Sequence, residues 1–412
     1  MSRRAIVIIL IVLSFTCGGF GQQLQDLTLS RVVDLYIQSN LELAAARLRV
    51  ERSRADQIAA RIRPNPGVTI TAENFPFSGP THFDRLYEIG ATYSETLELG
   101  GKKAQREKSA NAIVSVAEAQ FEDTLKKGVA ETRRLYYEAI LARASAEVAR
   151  ENRQTFEQLV QFNQTRFQEG AIPEVDLIKV RLERVKFESG LRQAELTLRQ
   201  ATIRLLERLG VSDFSGTLRG DLSFTAISID LNALREAAAA GRPDVLAATA
   251  EVNAARQRLA LEQVRAKPDL VPFAGYKRVG SDNTLQFGVN IPLKIRDQNQ
   301  AEISRAEADL KAADVRLKQV RNRAAAEVEA AYTSLQTAIS LVETFQNELL
   351  QQADDAQGIA LAAYEEGGTE LLPVLEAQRT RAEVRQQYFK TLFDYQASVI
   401  ALELAAGKEI PR

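Results

Sequence analysis

Most enzymatic chemistry near neutral pH uses histidine, activated cysteine or serine, bound metal, or a pair of carboxylates with separated pKa values. This chain of 412 residues is short of all but the carboxylates. It has one His (His82), one Cys (Cys17), one Met (Met1) and no Trp. Transition metals take His, Cys and Met ligands, so no tight protein-built metal site is expected. A catalytic triad would have to use His82, which lies in Ser78-Gly79-Pro80-Thr81-His82, a loop composition. Gly100-Gly101 lacks the Lys-Ser or Lys-Thr of a phosphate loop. What remains are acidic residues gathered around two glycines. Glu169, Glu174 and Asp176 surround Gly170, and Glu365, Glu366, Glu370 and Glu376 surround Gly367. Such carboxylates are either solvated charges at helix ends or, repeated by symmetry around an opening, rings that concentrate cations. A hydrolase would need two of them in one pocket, and nothing along the chain places them so.

The bulk composition narrows the classes further. Charged residues make up 26% and hydrophobic residues 45%, which excludes both a disordered tail and a polytopic helical membrane protein. The formal net charge is -1 and no basic patch is interleaved with aromatics, so nucleic acid is not an expected partner. Residues 1–21 resemble a secretory signal, with Arg3 and Arg4 at the start, an apolar run from Ala5 to Phe15, and Gly19-Phe20-Gly21 before Gln22. The run is too short to span a bilayer as a helix. Cys17 admits a second reading as a lipidation site, although bulky Phe15 is a poor context for it.

The chain that carries the two acidic clusters is two copies of one plan. Arg61-Ile62-Arg63-Pro64-Asn65 lines up with Arg265-Ala266-Lys267-Pro268-Asp269, and Phe167-Gln168-Glu169-Gly170 with Tyr364-Glu365-Glu366-Gly367. The first repeat, 22–210, predicts a helix over about 30–63, strands near 67–75 and 86–98, a helix over 102–169 and another over 173–209. A linker, 211–230, follows. The second repeat, 231–407, predicts a helix over 231–267, strands near 270–279 and 284–294, a helix over 298–366 and another over 370–406, with 408–412 as a tail. Ile303, Ala306, Leu310, Ala313, Leu317, Val320 and Ala324 recur at steps of three and four. Val328, Ala331, Leu335 and Ala338 continue the series after one extra step of four. This is a coiled-coil seam with a stutter. The long helix from Lys102 would run about 100 Å. The shorter helices of each half total about the same length, so they can stack end to end beside it.

The strands mark one end of this rod. Val68, Ile70 and Ala72 alternate with polar residues, as do Tyr87, Ile89, Ala91 and Tyr93, and Leu285, Phe287, Val289, Ile291 and Leu293. Near 271–279 the alternation is less regular, with Pro272 and Tyr276 off the pattern. Hairpins on a soluble sheet would read the same way. Strands of about 10 residues with one apolar face also fit a membrane barrel. Four strands cannot close a barrel, and free edges are not tolerated in lipid, so a membrane reading requires several chains to share one barrel.

Duplicated halves, paired long helical hairpins, four strands and a signal segment together resemble the TolC-type outer membrane efflux channels. Arg63-Pro64-Asn65-Pro66, Ala72-Glu73-Asn74 and Glu95-Thr96-Leu97-Glu98-Leu99-Gly100-Gly101-Lys102-Lys103 are similar to the cobalt-zinc-cadmium resistance branch, with Lys103 where that branch has Arg. The resemblance implies a mainly α fold with a long coiled-coil α-barrel, four strands per chain in a 12-stranded trimeric β-barrel, no cofactor and no enzymatic activity. It further implies a homotrimer in the outer membrane of a Gram-negative bacterium, with a long periplasmic portion. Its partners would be outer membrane lipid, a periplasmic adaptor and an inner membrane pump of the resistance-nodulation-division type. The cargo would be divalent metal cations, with organic toxicants as the alternative. Gly170, Glu169, Glu174, Gly367, Glu365 and Glu366 would form adaptor-docking tips, though the two glycines also read simply as helix stops. Asp176, Glu370 and Glu376 are candidates for a gate at the periplasmic entrance. Glu376 looks like a match to one gate position of the family, whereas Pro373 stands at the other and Asp176 is its counterpart in the first half. A periplasmic coiled-coil adaptor is the competing class. Adaptors carry helical hairpins but not this duplicated helix-strand-strand-helix plan.

Overall fold

The computed structural model describes residues 26–75, 77–80, 85, 87–211, 214, 216–227 and 229–411. Residues 1–21, read above as a signal, Cys17 among them, and His82 lie outside the described residues.

The first half opens with β1 (Asp26–Leu27), α1 (Leu29–Ser39) and α2 (Leu41–Arg61). The single helix expected over 30–63 is therefore two. The break is Asn40, which is extended and whose side chain accepts from Leu43 N at 2.9 Å to cap α2. Two strands follow, β2 (Gly67–Glu73) and β3 (Glu88–Ser94), then α3 (Lys102–Gln168) and α4 (Glu174–Leu209). Gly101 enters α3 in the left-handed conformation, φ 78°, which glycine adopts without steric cost. The connecting stretch contains β4 (Thr217–Leu218), which pairs in parallel with β1.

The second half repeats the order with α5 (Leu231–Gly241), α6 (Pro243–Arg265), β5 (Val271–Val279) and β6 (Asp282–Asn290). Here too the expected single helix over 231–267 is broken. Pro243 stands at the first position of α6 and holds Arg242 extended. The long helix expected over 298–366 is also interrupted. It consists of α7 (Gln300–Thr344), a π turn (Phe345–Leu349) and α8 (Leu350–Glu365), before α9 (Leu371–Ala406) closes the half.

Each long helix is lined by two shorter ones. Along α3, α2 runs antiparallel. Gln57 Nε2 reaches Asn111 at 2.8 Å, and Arg106 donates to the carbonyl of Ala60 at 2.9 Å. Farther along, α4 takes over through Arg204–Glu138, Arg150–Glu195 and Arg153–Glu188. The two short stretches meet where Asn40 Nδ2 donates to the carbonyl of Arg208 at 2.8 Å. In the second half the junction is Arg242, which pairs with Asp244 and Glu327 and donates to the carbonyl of Ala405. On α7 the seam residues Ala306, Ala324, Val328, Leu335 and Ala338 are buried and Ile303, Leu310, Ala313, Leu317, Val320 and Ala331 are half-buried. A 3-4 repeat leaves one stripe facing the neighbouring helices.

The main core lies at the middle of the rod. Tyr36, Ile140, Leu205, Leu335, Tyr395 and Val399 pack there. Gly128 carries no side chain where the Tyr36 hydroxyl enters. The connecting stretch is strapped on by Tyr395, whose hydroxyl donates to the carbonyl of Thr225 at 2.6 Å, and by Gln396, which donates to that of Ser223 at 2.6 Å.

At one end the four longer strands form an antiparallel sheet of order β2-β3-β5-β6. The register aligns Ile70 with Ala91, Ala91 with Tyr276 and Tyr276 with Leu285. One face therefore carries Val68, Ile70, Ala72, Ile89, Ala91, Tyr93, Pro272, Ala274, Tyr276, Leu285, Phe287 and Val289, with Arg278 and Asn283 at its hairpin end. Pro272 and Tyr276, expected off the pattern, both lie on this face. Val271, Phe273 and Val279 fall on the polar face, and the Phe273 ring lies over Gly288, where a side chain would collide. The polar face also carries Thr69, Thr71, Thr92, Gln286 and the Lys277–Glu88 ion pair. Among the described residues no helix is long and apolar enough to cross a membrane.

Candidate functional site

The end of the rod opposite the sheet holds the two acidic turns. Both are built the same way. Gly170 has φ 75° and Gly367 φ 76°. Ala171 N donates to the carbonyl of Arg166 and Gly368 N to that of Ala363, both at 2.8 Å. These long-range closures satisfy helix-end carbonyls and demand a left-handed residue. A Cβ on either glycine would meet nothing within 4 Å. Glycine is required for its backbone, not for space.

The predicted residues sit as follows. Glu169 and Glu366 are the C-terminal caps of α3 and α8, and Glu365 is the last residue of α8. Glu174 and Asp176 lie in the first turn of α4, where the helix dipole favours anions. Asp176 is half-buried and pairs with Lys179 at 3.1 Å. Glu370 is the extended cap of α9 and makes no side-chain cap bond. Glu376 is exposed one turn into α9. Among the described residues no three His, Cys, Asp or Glu side chains converge on a point where a metal could sit. Within one chain the acids stay dispersed.

The structure does bring together a polar lock between the two hairpins. Tyr364, on α8, is buried, and its hydroxyl is bonded to Asn163 of α3. The Arg166 guanidinium lies over the rings of Phe162 (5.5 Å) and Tyr364 (5.1 Å) and donates to the Tyr364 carbonyl at 3.2 Å. Burial pushes the Tyr364 hydroxyl above its ordinary pKa, against the opposing influence of Arg166. Around the lock Phe156, Leu159, Val180, Leu371, Val374 and Leu375 form a second, smaller core. Phe156 and Phe187 stack at 4.2 Å.

A second tie lies deeper along the hairpins. Glu183 of α4 is buried and bound by Arg379 of α9 at 2.5 Å and by Lys186 at 2.6 Å. Burial raises the Glu183 carboxyl, but the hydrogen bonds from Arg379 and Lys186 outweigh it and hold the group below the usual range. Buried Gln378 reaches buried Asn152 at 3.3 Å. Glu376 stands close enough to Arg379 to stabilise its charge.

These ties were not among the residues singled out from sequence. One signal was available. Asn152 and Asn163 interrupt the seam of a helix that is otherwise free to bury apolar residues, and buried amides need partners.

The family profile described as "Outer membrane efflux protein" matches residues 32–211 and 234–408. The chain is 28% identical over 380 residues to the cobalt-zinc-cadmium resistance protein CzcC of Cupriavidus metallidurans, covering 90% of this chain and 88% of that one. It is 27% identical over 310 residues to the nickel and cobalt resistance protein CnrC of the same organism, 73% of each. Among solved structures, CusC superposes with a TM-score of 0.77 at 20% identity over 92% of both chains. The Campylobacter jejuni CmeC outer membrane channel superposes with 0.78 at 16% identity, covering 93% of this chain and 86% of that one.

Proposed function

The chain belongs to the outer membrane efflux protein family, and from that premise we propose that three copies assemble into a passive conduit for divalent metal cations from periplasm to exterior. The observation that carries this reading is the sheet. It has one continuous apolar face and two free edges, β2 and β6, at the end of a rod about 100 Å long. A free edge in lipid is forbidden, and four strands cannot close. Three copies would pair β6 of one with β2 of the next and close 12 strands. The same symmetry would set three helical units around a tunnel.

In this reading the sheet end lies in the outer membrane and the hairpin tips lie deep in the periplasm. There they meet an adaptor and, through it, a pump of the resistance-nodulation-division type. Gly170, Glu169, Glu174, Gly367, Glu365 and Glu366 form the docking tips. Threefold copies of Asp176, Glu370 and Glu376 form acidic rings at the entrance. Rings of carboxylates raise the local concentration of cations without holding any one of them. Widening the entrance means moving α8 and α9 away from α3 and α4. That motion breaks the Tyr364–Asn163 and Arg379–Glu183 ties.

The metal cargo rests on the relatives whose names carry cobalt, zinc, cadmium and nickel resistance. Deleting the gene and restoring it on a plasmid tests it. Tolerance to cobalt, zinc and cadmium falls in the deletion strain and returns on complementation. Sensitivity confined to organic toxicants would overturn the metal assignment. The gate is tested in planar bilayers, where D176A/E376A lowers cation selectivity. Unchanged conductance and selectivity would remove both residues from the gate.

A further inference from the structure

The two halves share one strand register. Gly67 faces Ser94 in the first hairpin, and Val271 faces Asn290 in the second. The repeat that aligns Arg63-Pro64-Asn65 with Lys267-Pro268-Asp269 carries Gly67 onto Val271, and so carries Ser94 onto Asn290. Residue by residue, β2 corresponds to β5 and β3 to β6. One seam between halves lies inside the chain, where β3 meets β5. Its counterpart joins β6 to β2, the two edges the sheet leaves open. These edges lie on opposite sides of one sheet, so the counterpart seam forms between copies.

Across the inner seam Ala91 faces Tyr276, and Thr92 faces Gly275. Carried to the outer seam, the same register sets Phe287 against Ala72 and Gly288 against Thr71. Both pairs keep their sizes and exchange sides: aromatic against alanine, threonine against glycine. At the second pair space is short. A Cβ on Gly275 would sit 2.7 Å from the Thr92 hydroxyl, so a threonine there needs glycine opposite. Val289 (55% exposed) falls against Ile70 (77%), and Ile291 against Val68, all on the apolar face. Sliding by one residue would turn the apolar set to the polar face. Sliding by two sets Phe287 against Ile70 or Asn74, and neither direction keeps both size matches.

We propose that β6 of one copy docks on β2 of a second copy in this register alone, with Phe287 against Ala72, Gly288 against Thr71 and Val289 against Ile70. The inference rests on the trimeric reading above. On the polar face Gln286 comes opposite Glu73, a carboxylate that within its own chain faces another, Glu88. The ladder Gly67, Ser94, Phe273, Gly288 of one copy then arrives at Thr71 of the next. Over the closed barrel this stagger tilts the strands by about 35° at standard strand spacings, the tilt that membrane barrels use.

The inner seam also fixes the hydrogen-bond phase. Leu97 and Leu270 exchange both backbone hydrogen bonds, which makes Ser94–Phe273 a non-hydrogen-bonded pair. Its counterpart is Asn290–Thr69, where cysteines come within disulfide range. The test uses the full-length protein in its membrane, oxidised and run on denaturing gels. T69C/N290C converts most chains to covalent oligomers, whereas G67C/N290C and T71C/N290C, the registers slid by two, convert few. T69C or N290C alone converts none, which excludes Cys17 as the partner. Cross-linking in a shifted pair, or in no pair of a heat-resistant oligomer, overturns the register and leaves the trimer. Monomers without pores from wild type overturn the trimeric reading, and the register with it. Should the cysteine variants fail to assemble, a size swap reads the same contact. A72F loses the heat-resistant oligomer, A72F/F287A regains it and A72F/V289A does not. Rescue by V289A and not by F287A overturns the register.

Discussion

Phe167 and Tyr364 stand at the same place in the two hairpins, three residues before the glycine that ends each long helix. Phe167 is 36% exposed and Tyr364 is 4% exposed. The difference is a hydroxyl and what surrounds it. Tyr364 meets Asn163 and Arg166 of the first hairpin, whose own counterparts in the second are Ala360 and Ala363. The duplicated halves have thus diverged: the first supplies an amide and a guanidinium to the lock, the second a phenol and its carbonyl. The long helices have diverged as well. Helix α3 is continuous over Lys102–Gln168, whereas the π turn at Phe345–Leu349 divides its partner. Beside that turn Gln346 donates to the Tyr388 hydroxyl at 2.9 Å. Two copies of one plan can share a backbone outline and still assign different mechanical roles to equivalent positions.

The largest expected effect tests the helices. A π turn holds one residue more than an α turn, so deleting Asn347 converts it to α-helix and keeps the flanking faces in place. Deleting Arg150, its counterpart in α3, rotates everything beyond it by about 100°. The expected outcome is that the Asn347 deletion keeps the heat-resistant oligomer and its conductance, and the Arg150 deletion loses both. Equal behaviour of the two would erase the distinction between the helices.

Next comes the pair of aromatics. Tyr364→Ala opens a cavity and destabilises the tip by about 3–5 kcal/mol, whereas Phe167→Ala stays within about 0.5 kcal/mol. Tyr364→Phe leaves Asn163 buried without its partner and costs about 1–3 kcal/mol. Hydrogen exchange of tip amides reads all three. Similar exchange in Tyr364→Ala and Phe167→Ala would mean that the lock carries no weight.

The smallest effect concerns acid. The Glu183 carboxyl is held below its ordinary value, so its ties to Arg379 and Lys186 stabilise the fold fully above the unfolded value near 4.5 and are lost as pH falls through the depressed one. Protection of the tip should persist at pH 5 and decline below about 4.5. Glu183→Gln should flatten that decline. An unchanged acid profile in the variant would assign the loss to other carboxylates.

Much of this was legible in the chain. The two-fold repeat, the 3-4 seam of α7 and the alternation of β2, β3 and β6 are local patterns, written within a turn or two of the residues they position. The breaks at Asn40 and Pro243 were also written locally, in a capping side chain and a proline, and an unbroken apolar period masked them. The phase of β5 was not legible. Phe273 and Tyr276 are both apolar, and only the space over Gly288 and the register with Ala91 and Leu285 decide which faces which way.

For the tip, the glycines and acids could be found by type and spacing, because a helix end needs a left-handed residue wherever the chain goes next. The lock could not. Asn163 breaks an apolar seam and so calls for a partner, but Tyr364 lies 201 residues away and nothing local names it. By itself the sequence determined that this is a duplicated helical rod with a four-stranded end, which must share a barrel if those strands lie in lipid. Local periodicity and the hydrogen-bonding demands of strands suffice for that. The tertiary structure alone decided which carboxylates are tied and which arginines tie them, because pairing across helices depends on distances that no local pattern encodes.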